Sequence, residues 1–269
     1  MRKDGFALRE NRGIPYYSCA AFESLPWLRH GFSTRRGGVA AANGNDSLNL
    51  NAVAWDEPGR VEENRRRFLH ALGLDAAVLA TLNQVHSTTV RVLGRASTPW
   101  VATEGDALVT REPNVALGVK TADCLPVLIA DPATKAVGAV HSGWRGTLEG
   151  VLERAVGEML RNFGGSPDDL LVAVGPGIRA CCFEVGGDVA DLFLRAHPGA
   201  GAVRAHPGRP GKHLVDLVKV LDAQLDRLGV PPGNRHDSGL CSCCDTREFF
   251  SWRAEGAASG RMMSVVAIA

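Results

Sequence analysis

Short apolar runs recur along this chain, at positions 115–121, 127–130, 136–140, 170–174 and 262–268. Several are nearly unbroken by polar residues. A strand with one face in water alternates apolar and polar, whereas a strand covered on both faces reads as a continuous apolar run. The chain is therefore expected to build sheets buried on both sides. A further strand is expected at 249–252.

Helical patterns lie between these runs. Asp56-Glu57-Pro58 supplies an N-cap candidate with proline in the first turn, followed by Val61, Phe68, Leu69 and Leu72. From Thr147, the positions Leu148, Val151, Leu152, Ala155, Val156, Met159, Leu160 and Phe163 form one helical stripe, which Gly164-Gly165 stops. A third stripe runs from Leu214 through Leu217, Leu221 and Leu225 to Leu228 and ends at Gly229. The stretch 197–210, rich in proline and glycine, reads as an exposed loop. No regular βαβ repeat emerges. The expected class is α+β or mixed α/β, with mixed sheets sandwiched with flanking helices. One domain is expected over 1–269, entered by a lead-in at 1–29.

The 269 residues, 45% of them apolar, suffice for a large core. The formal net charge is +1, and the densest basic run, Arg65-Arg66-Arg67, falls on a helical pattern as a solvated face. Neither nucleic acid nor an anionic membrane is an expected partner. No window approaches a membrane span. Segment 1–6 lacks the apolar stretch of a signal peptide. The expected location is the cytoplasm, where the seven cysteines serve as ligands, nucleophiles or core filler rather than disulfides.

Three separated residues carry the clearest chemistry: His86, Cys124 and His141. His141 follows an expected strand and precedes an expected helix, and Cys124 lies in a short break before Pro126. Turns at strand ends are where α/β sheets commonly place reactive groups. Two neutral imidazoles and a thiolate suit a tetrahedral Zn²⁺ with one position left open, the arrangement of a catalytic site. The same atoms also fit a Cys124–His141 nucleophile pair oriented by Asp123 or another group. A second thiol group, Cys241, Cys243 and Cys244 with His236 nearby, reads as C-x-C-C, a poor spacing for one metal. Cys181-Cys182 reads as packing. The turns Thr34-Arg35-Arg36-Gly37-Gly38 and Gly175-Pro176-Gly177 with Arg179 suit an anionic or ribosyl ligand.

Ten collinear segments resemble the laccase-domain, YfiH-like family. They include FSTRRGG (32–38), SLNLN (47–51), NQVHS (83–87), EGDALVT (104–110), TADCLPVLIAD (121–131), AVHSGWRGT (139–147) and VGPGIRACCFEVG (174–186). The resemblance implies mixed sheets with flanking helices, likened to the cysteine-hydrolase fold of the cytotoxic necrotizing factor toxins. It implies a zinc site of His86, Cys124 and His141, and phosphorolysis of adenosine, inosine or methylthioadenosine to the base and ribose 1-phosphate. It also implies adenosine deamination, and a monomer or homodimer. Arg35, Asn49 and Arg145 are carried over as substrate-facing; the departing base also needs a general acid, for which Asp123 and Asp106 are candidates. Position 142 is Ser where Ala is usual, and a customary His after residue 51 is absent.

The family's older label is copper-dependent polyphenol oxidase. Eight histidines without a single H-x-H pair argue against a multicopper centre, although one thiolate-containing site takes Cu²⁺ in preference to Zn²⁺ at equal ligands. The rival readings are a Cys–His amidase acting on peptidoglycan precursors and a non-catalytic binding module.

Overall fold

The apolar runs become strands whose alternate residues serve two different cores. The computed structural model describes residues 5–41, 46–94 and 103–269. In chain order the strands are β1 (Phe6–Asn11), β2 (Ile14–Cys19), β3 (Leu28–Ser33), β4 (Arg36–Ala40), β5 (Val78–Thr81), β6 (Val90–Leu93), β7 (Ala107–Thr110), β8 (Val115–Thr121), β9 (Leu125–Asp131), β10 (Ala136–Ser142), β11 (Leu171–Val174), β12 (Glu184–Gly186), β13 (Val203–Ala205), β14 (Lys212–Val215), β15 (Arg235–Asp237) and β16 (Met262–Ile268). The helices are α1 (Ala20–Glu23), α2 (Pro58–Ala71), α3 (Trp144–Glu149), α4 (Val151–Phe163), α5 (Gly187–Ala196), α6 (Leu217–Leu228) and α7 (Trp252–Glu255).

One six-stranded sheet has the order β1-β2-β3-β16-β8-β5, and a second has β15-β11-β9-β10-β7-β6. A small third sheet is β12-β14-β13. Both large sheets are mixed: β5 runs parallel to β8, β6 to β7 and β11 to β15, amid antiparallel pairs.

Side chains alternate across a strand with period two, so each buried strand has two apolar faces to satisfy. In β9, Leu128 and Ala130 join Leu117, Val119 and Val266 of the first sheet. Val127 and Ile129 instead join Val156 and Met159 of α4 and Leu221 and Leu225 of α6. The outer face of the first sheet sets Ala116, Val265 and Ala267 against Phe68 and Ala71 of α2. The layers are thus α2, first sheet, second sheet, then α4 and α6. Each such Val, Leu or Ile contributes roughly 1.5–3 kcal/mol on full burial. Gly138 lets α4 approach β10, since a Cβ there would lie 3.1 Å from the Met159 sulfur.

Several expectations need correction. Residues 249–251 form no strand; Ser251 caps α7 by accepting from the Ala254 N–H. The stripe from Thr147 is two helices, parted at Gly150 with φ 83°. Leu214 belongs to β14, and α6 starts after Asp216, whose carboxylate accepts the Val218 and Lys219 N–H groups. Within the 1–29 segment, Phe6–Asn11 and Ile14–Cys19 form the β1–β2 hairpin, turned at Arg12 and Gly13 with positive φ, which leaves the expected lead-in as it stands. Its mixed polarity follows from partial exposure. Residues 1–4 lie outside the described residues. The 197–210 stretch contains β13. No helix among the described residues is long and apolar enough to cross a membrane.

Candidate active site

Two crossings between the large sheets build the site. Residues 122–124 carry the chain from β8 in the first sheet to β9 in the second, and residues 82–89 carry it from β5 to β6. Cys124 sits on the first crossing and His86 on the second. His141 lies near the end of β10, in register with Pro126 of β9, which brings it beside Cys124.

The three ligand atoms lie within 4.8 Å of one another. Cys124 Sγ is 3.7 Å from His86 Nε2, and the imidazole centroids are 4.9 Å apart. Zn–S near 2.3 Å and Zn–N near 2.0 Å place tetrahedral N and S ligands about 3.5 Å apart, so the donor set fits that ion. Gly143 makes the approach possible. A Cβ there would fall 2.5 Å from His86 Cδ2 and 3.2 Å from Cys124 Sγ.

Asp106 organises the group from below. It is fully buried, and its carboxylate accepts from His141 Nδ1 at 2.7 Å, from the Ser87 N–H at 2.6 Å and hydroxyl at 2.7 Å, and from the His86 N–H at 3.0 Å. That bond fixes the His141 ring and leaves Nε2 for the thiol side. Burial raises the Asp106 pKa, but the hydrogen bonds from His141 and Ser87 outweigh it and hold the carboxyl at about 2. Asp106 thus orients the His141 ring, and it does not line the cavity on which the group opens. Gln84 ties the His86 loop to β8 through both its amide atoms, to the Lys120 N–H and C=O. His86 and Asp123 both have left-handed backbones, φ 60° and 85°. That conformation is uncommon without glycine and concentrates at functional sites.

The thiol and imidazole form a charged pair. Burial pushes the Cys124 thiol up, but His141 and then His86 outweigh this and hold it at about 6. Burial likewise pushes His141 down, and Cys124 with Asp106 raises it to about 9. A thiolate is the form that binds metal or attacks carbon.

The group opens on a cavity of about 670 Å³. Ile178, Phe183, Val185, Val189 and Leu217 supply apolar wall, while Lys120, Arg253 and Arg261 supply cations. Lys120 donates to the Leu82 carbonyl, and burial lowers its ammonium to about 8. Arg261 lies over the Trp252 ring at 5.4 Å. Asp123 lines the cavity too, but Ser242 Oγ occupies its Oδ1 and the Arg253 N–H its Oδ2.

The residues carried over as substrate-facing lie elsewhere. Arg35 is buried in an ion pair with Glu255 at 2.8 Å and stacks on Phe250. Asn49 is fully buried, donating to Asp56 and accepting the Arg261 N–H. Arg145 is exposed and stacks on Trp144. None of the three lines the cavity. Arg179 of the glycine turn is held by Asp237 and the Leu240 carbonyl. Lys120 and Arg261 escaped sequence reasoning because they come from distant segments. The β8–β16 register, Lys120 opposite Met263 and Thr121 opposite Met262, brings them together. A second group also forms against expectation: Cys181, Cys182, Cys241 and Cys244 converge, without His236 or Cys243.

This fold belongs to a known class. The profile of the family described as multi-copper polyphenol oxidoreductase laccase matches residues 29–269, and the chain belongs to that family. It is 41% identical over 251 residues to a "Purine nucleoside phosphorylase" of Deinococcus radiodurans, covering 91% of this chain and 93% of the relative. It is 37% identical over 237 residues to "Adenosine deaminase RL5" from an unknown prokaryotic organism, covering 86% and 90%. The crystal structure of YlmD from Geobacillus stearothermophilus superposes with a TM-score of 0.87 at 29% identity, covering 98% of this chain and 99% of that one. Despite the family's description, only two of the eight histidines fall in a potential metal-ligand group among the described residues.

Proposed function

We propose that this protein is a zinc-dependent purine nucleoside phosphorylase. The observation that carries the reading is the joint lining of one cavity: two imidazoles and a thiol, an apolar wall, and the cations Lys120, Arg253 and Arg261. Its volume falls in the usual range for small-molecule sites. The Deinococcus relative's name points the same way.

Ile178, Phe183 and Leu217 cover the purine. Arg261 holds the phosphate against the ribose, where charge develops at C1′ as the glycosidic bond breaks and a phosphate oxygen bonds to C1′. The departing base leaves with the bonding pair and needs a proton. Lys120, at about 8, is tuned to supply it. His86, Cys124 and His141 would hold the zinc, which would supply Lewis-acid polarisation of a substrate oxygen. In this reading Arg261 and Lys120 take the roles first assigned to Arg35, Arg145 and the two aspartates. Deamination, the printed activity of the RL5 relative, calls for a free carboxylate beside the metal. Among the described residues Asp123 is the one acidic side chain lining the cavity, and it already accepts from the Ser242 hydroxyl and the Arg253 N–H, which favours phosphorolysis.

The test is phosphate-dependent release of hypoxanthine from inosine. His86→Ala and Cys124→Ala should each lose several kcal/mol of transition-state stabilisation, about 10³-fold in kcat/KM. Equal activity in all three proteins would sink the assignment.

A second reading rests on the hydrogen-bonded order Cys124, His141, Asp106, which matches a thiol nucleophile, its base and an orienting acid. It predicts full activity on an amide substrate after chelator treatment.

A further inference from the structure

Four thiols beside the cavity wall take no part in the reaction above. Cys181, Cys182, Cys241 and Cys244 have sulfur atoms within 4.8 Å of one another. Cys244 lies 3.4 Å from Cys181 and 3.3 Å from Cys182. These distances far exceed a disulfide bond of about 2.05 Å. They are nearer the edge of a thiolate tetrahedron, about 3.8 Å for Zn–S of 2.3 Å. Cys241 and Cys244 also have C-x₂-C spacing, which the inserted Cys243 disguises in the sequence.

We propose that these four cysteines form a closed tetrathiolate site for a soft divalent cation of the zinc class. An all-sulfur donor set selects such an ion over Mg²⁺ or Ca²⁺, and four protein ligands leave no open position for substrate. The role is therefore structural. The two ligand turns are already joined: Cys241 bridges to Gly177, and the Ser242 N–H donates to the Gly177 carbonyl at 3.1 Å. Cys181 and Cys244 are exposed, which gives the ion a way in. Each thiol binds as thiolate and releases its proton to solvent. The site then keeps a net negative charge. Arg253 donates to the Cys182 carbonyl, and Arg179, close by in the same turn, leaves Nη1 buried without a hydrogen-bond partner among the described residues.

The site also reaches the cavity. Ser242, between two of the ligands, donates to Asp123 at 2.8 Å, and the Arg253 N–H donates to the same carboxylate at 2.6 Å. Asp123 precedes Cys124. An ion in the thiol site would brace the wall on which that thiol stands, without touching the reacting atoms.

The experiment is zinc and cobalt loading of the chelator-stripped, fully reduced protein. It is independent of nucleoside turnover, so it stands whether or not the phosphorylase reading does. Cobalt at four thiolates gives intense sulfur-to-metal charge-transfer absorption. That signal should persist in Cys124→Ala and fall to the single-thiolate level of the first group in Cys181→Ser/Cys244→Ser, with one fewer zinc bound per chain, while Cys243→Ser leaves it intact. Zinc should also shield Cys181 and Cys244 of the unaltered protein from alkylation, a readout that needs no folded variant. Unchanged zinc binding and cobalt absorption in the double variant would overturn the site. So would an unshielded Cys244, or a disulfide from it persisting under reducing conditions.

Discussion

The His86–Cys124–His141 group and the four-thiol group each offer thiolate to an ion, yet their donor sets and surroundings differ. The first draws one residue from each of three distant segments, mixes nitrogen with sulfur, and opens on a 670 Å³ cavity. The second draws adjacent cysteines from one turn and a C-x₂-C pair from another, is all sulfur, and supplies no side chain to that cavity. Beneath the first lies a buried carboxylate that turns one imidazole. The second is framed instead by backbone bonds between its turns. What separates a reactive centre from a brace is thus less the affinity of the ligands than what faces the unfilled position.

The comparison breaks most visibly at Lys120. Replacing it with Met should cost about 10²-fold in turnover if it supplies the proton. The acid form is the active one, so unaltered turnover should fall as pH rises through about 8. The variant should lose that alkaline limb; a retained limb would assign the proton to another group. A smaller effect is expected from Asp106→Asn, which weakens the His141 bond without removing a ligand. Metal affinity at the first group should drop about 10-fold to 100-fold, measured by competition with a chromophoric chelator, with no change at the thiol group. Smallest of all, Cys181→Ser/Cys244→Ser should change kcat/KM for inosine less than about threefold, under 1 kcal/mol, yet lower the melting temperature in zinc-containing buffer. A loss as large as that of Cys124→Ala would erase the distinction between the two groups.

The sequence made some of this legible. Strands β8 and β16 match their expected runs to the residue, because burial on both faces leaves an unmistakable pattern. Helix α2 announced itself through Pro58 in its first turn. The β1–β2 hairpin, α5 and the small third sheet are not legible in the sequence: β1, α5 and the third sheet are largely part-exposed and mixed in polarity, and in β2 the buried residues include Pro15 and Ser18, which break the apolar run. Within the site, His86, Cys124 and His141 were named from segment chemistry, and the fold brings them together. Its cations were not, because nothing in a linear reading pairs residue 120 with residue 261. The thiol group was discounted because adjacent cysteines make poor chelators alone; the fold supplies the second pair from 60 residues away.

The two crossings give the first group a mechanical meaning. His86 and Cys124 stand on the links that step from one large sheet to the other, and His141 stands on the second sheet itself. Sliding one sheet over its neighbour by a single residue, about 3.3 Å, would pull the thiol and imidazoles out of reach of a common ion. A metal seated there would work as a rivet through two plates, and its departure would loosen the seam between the two sheets.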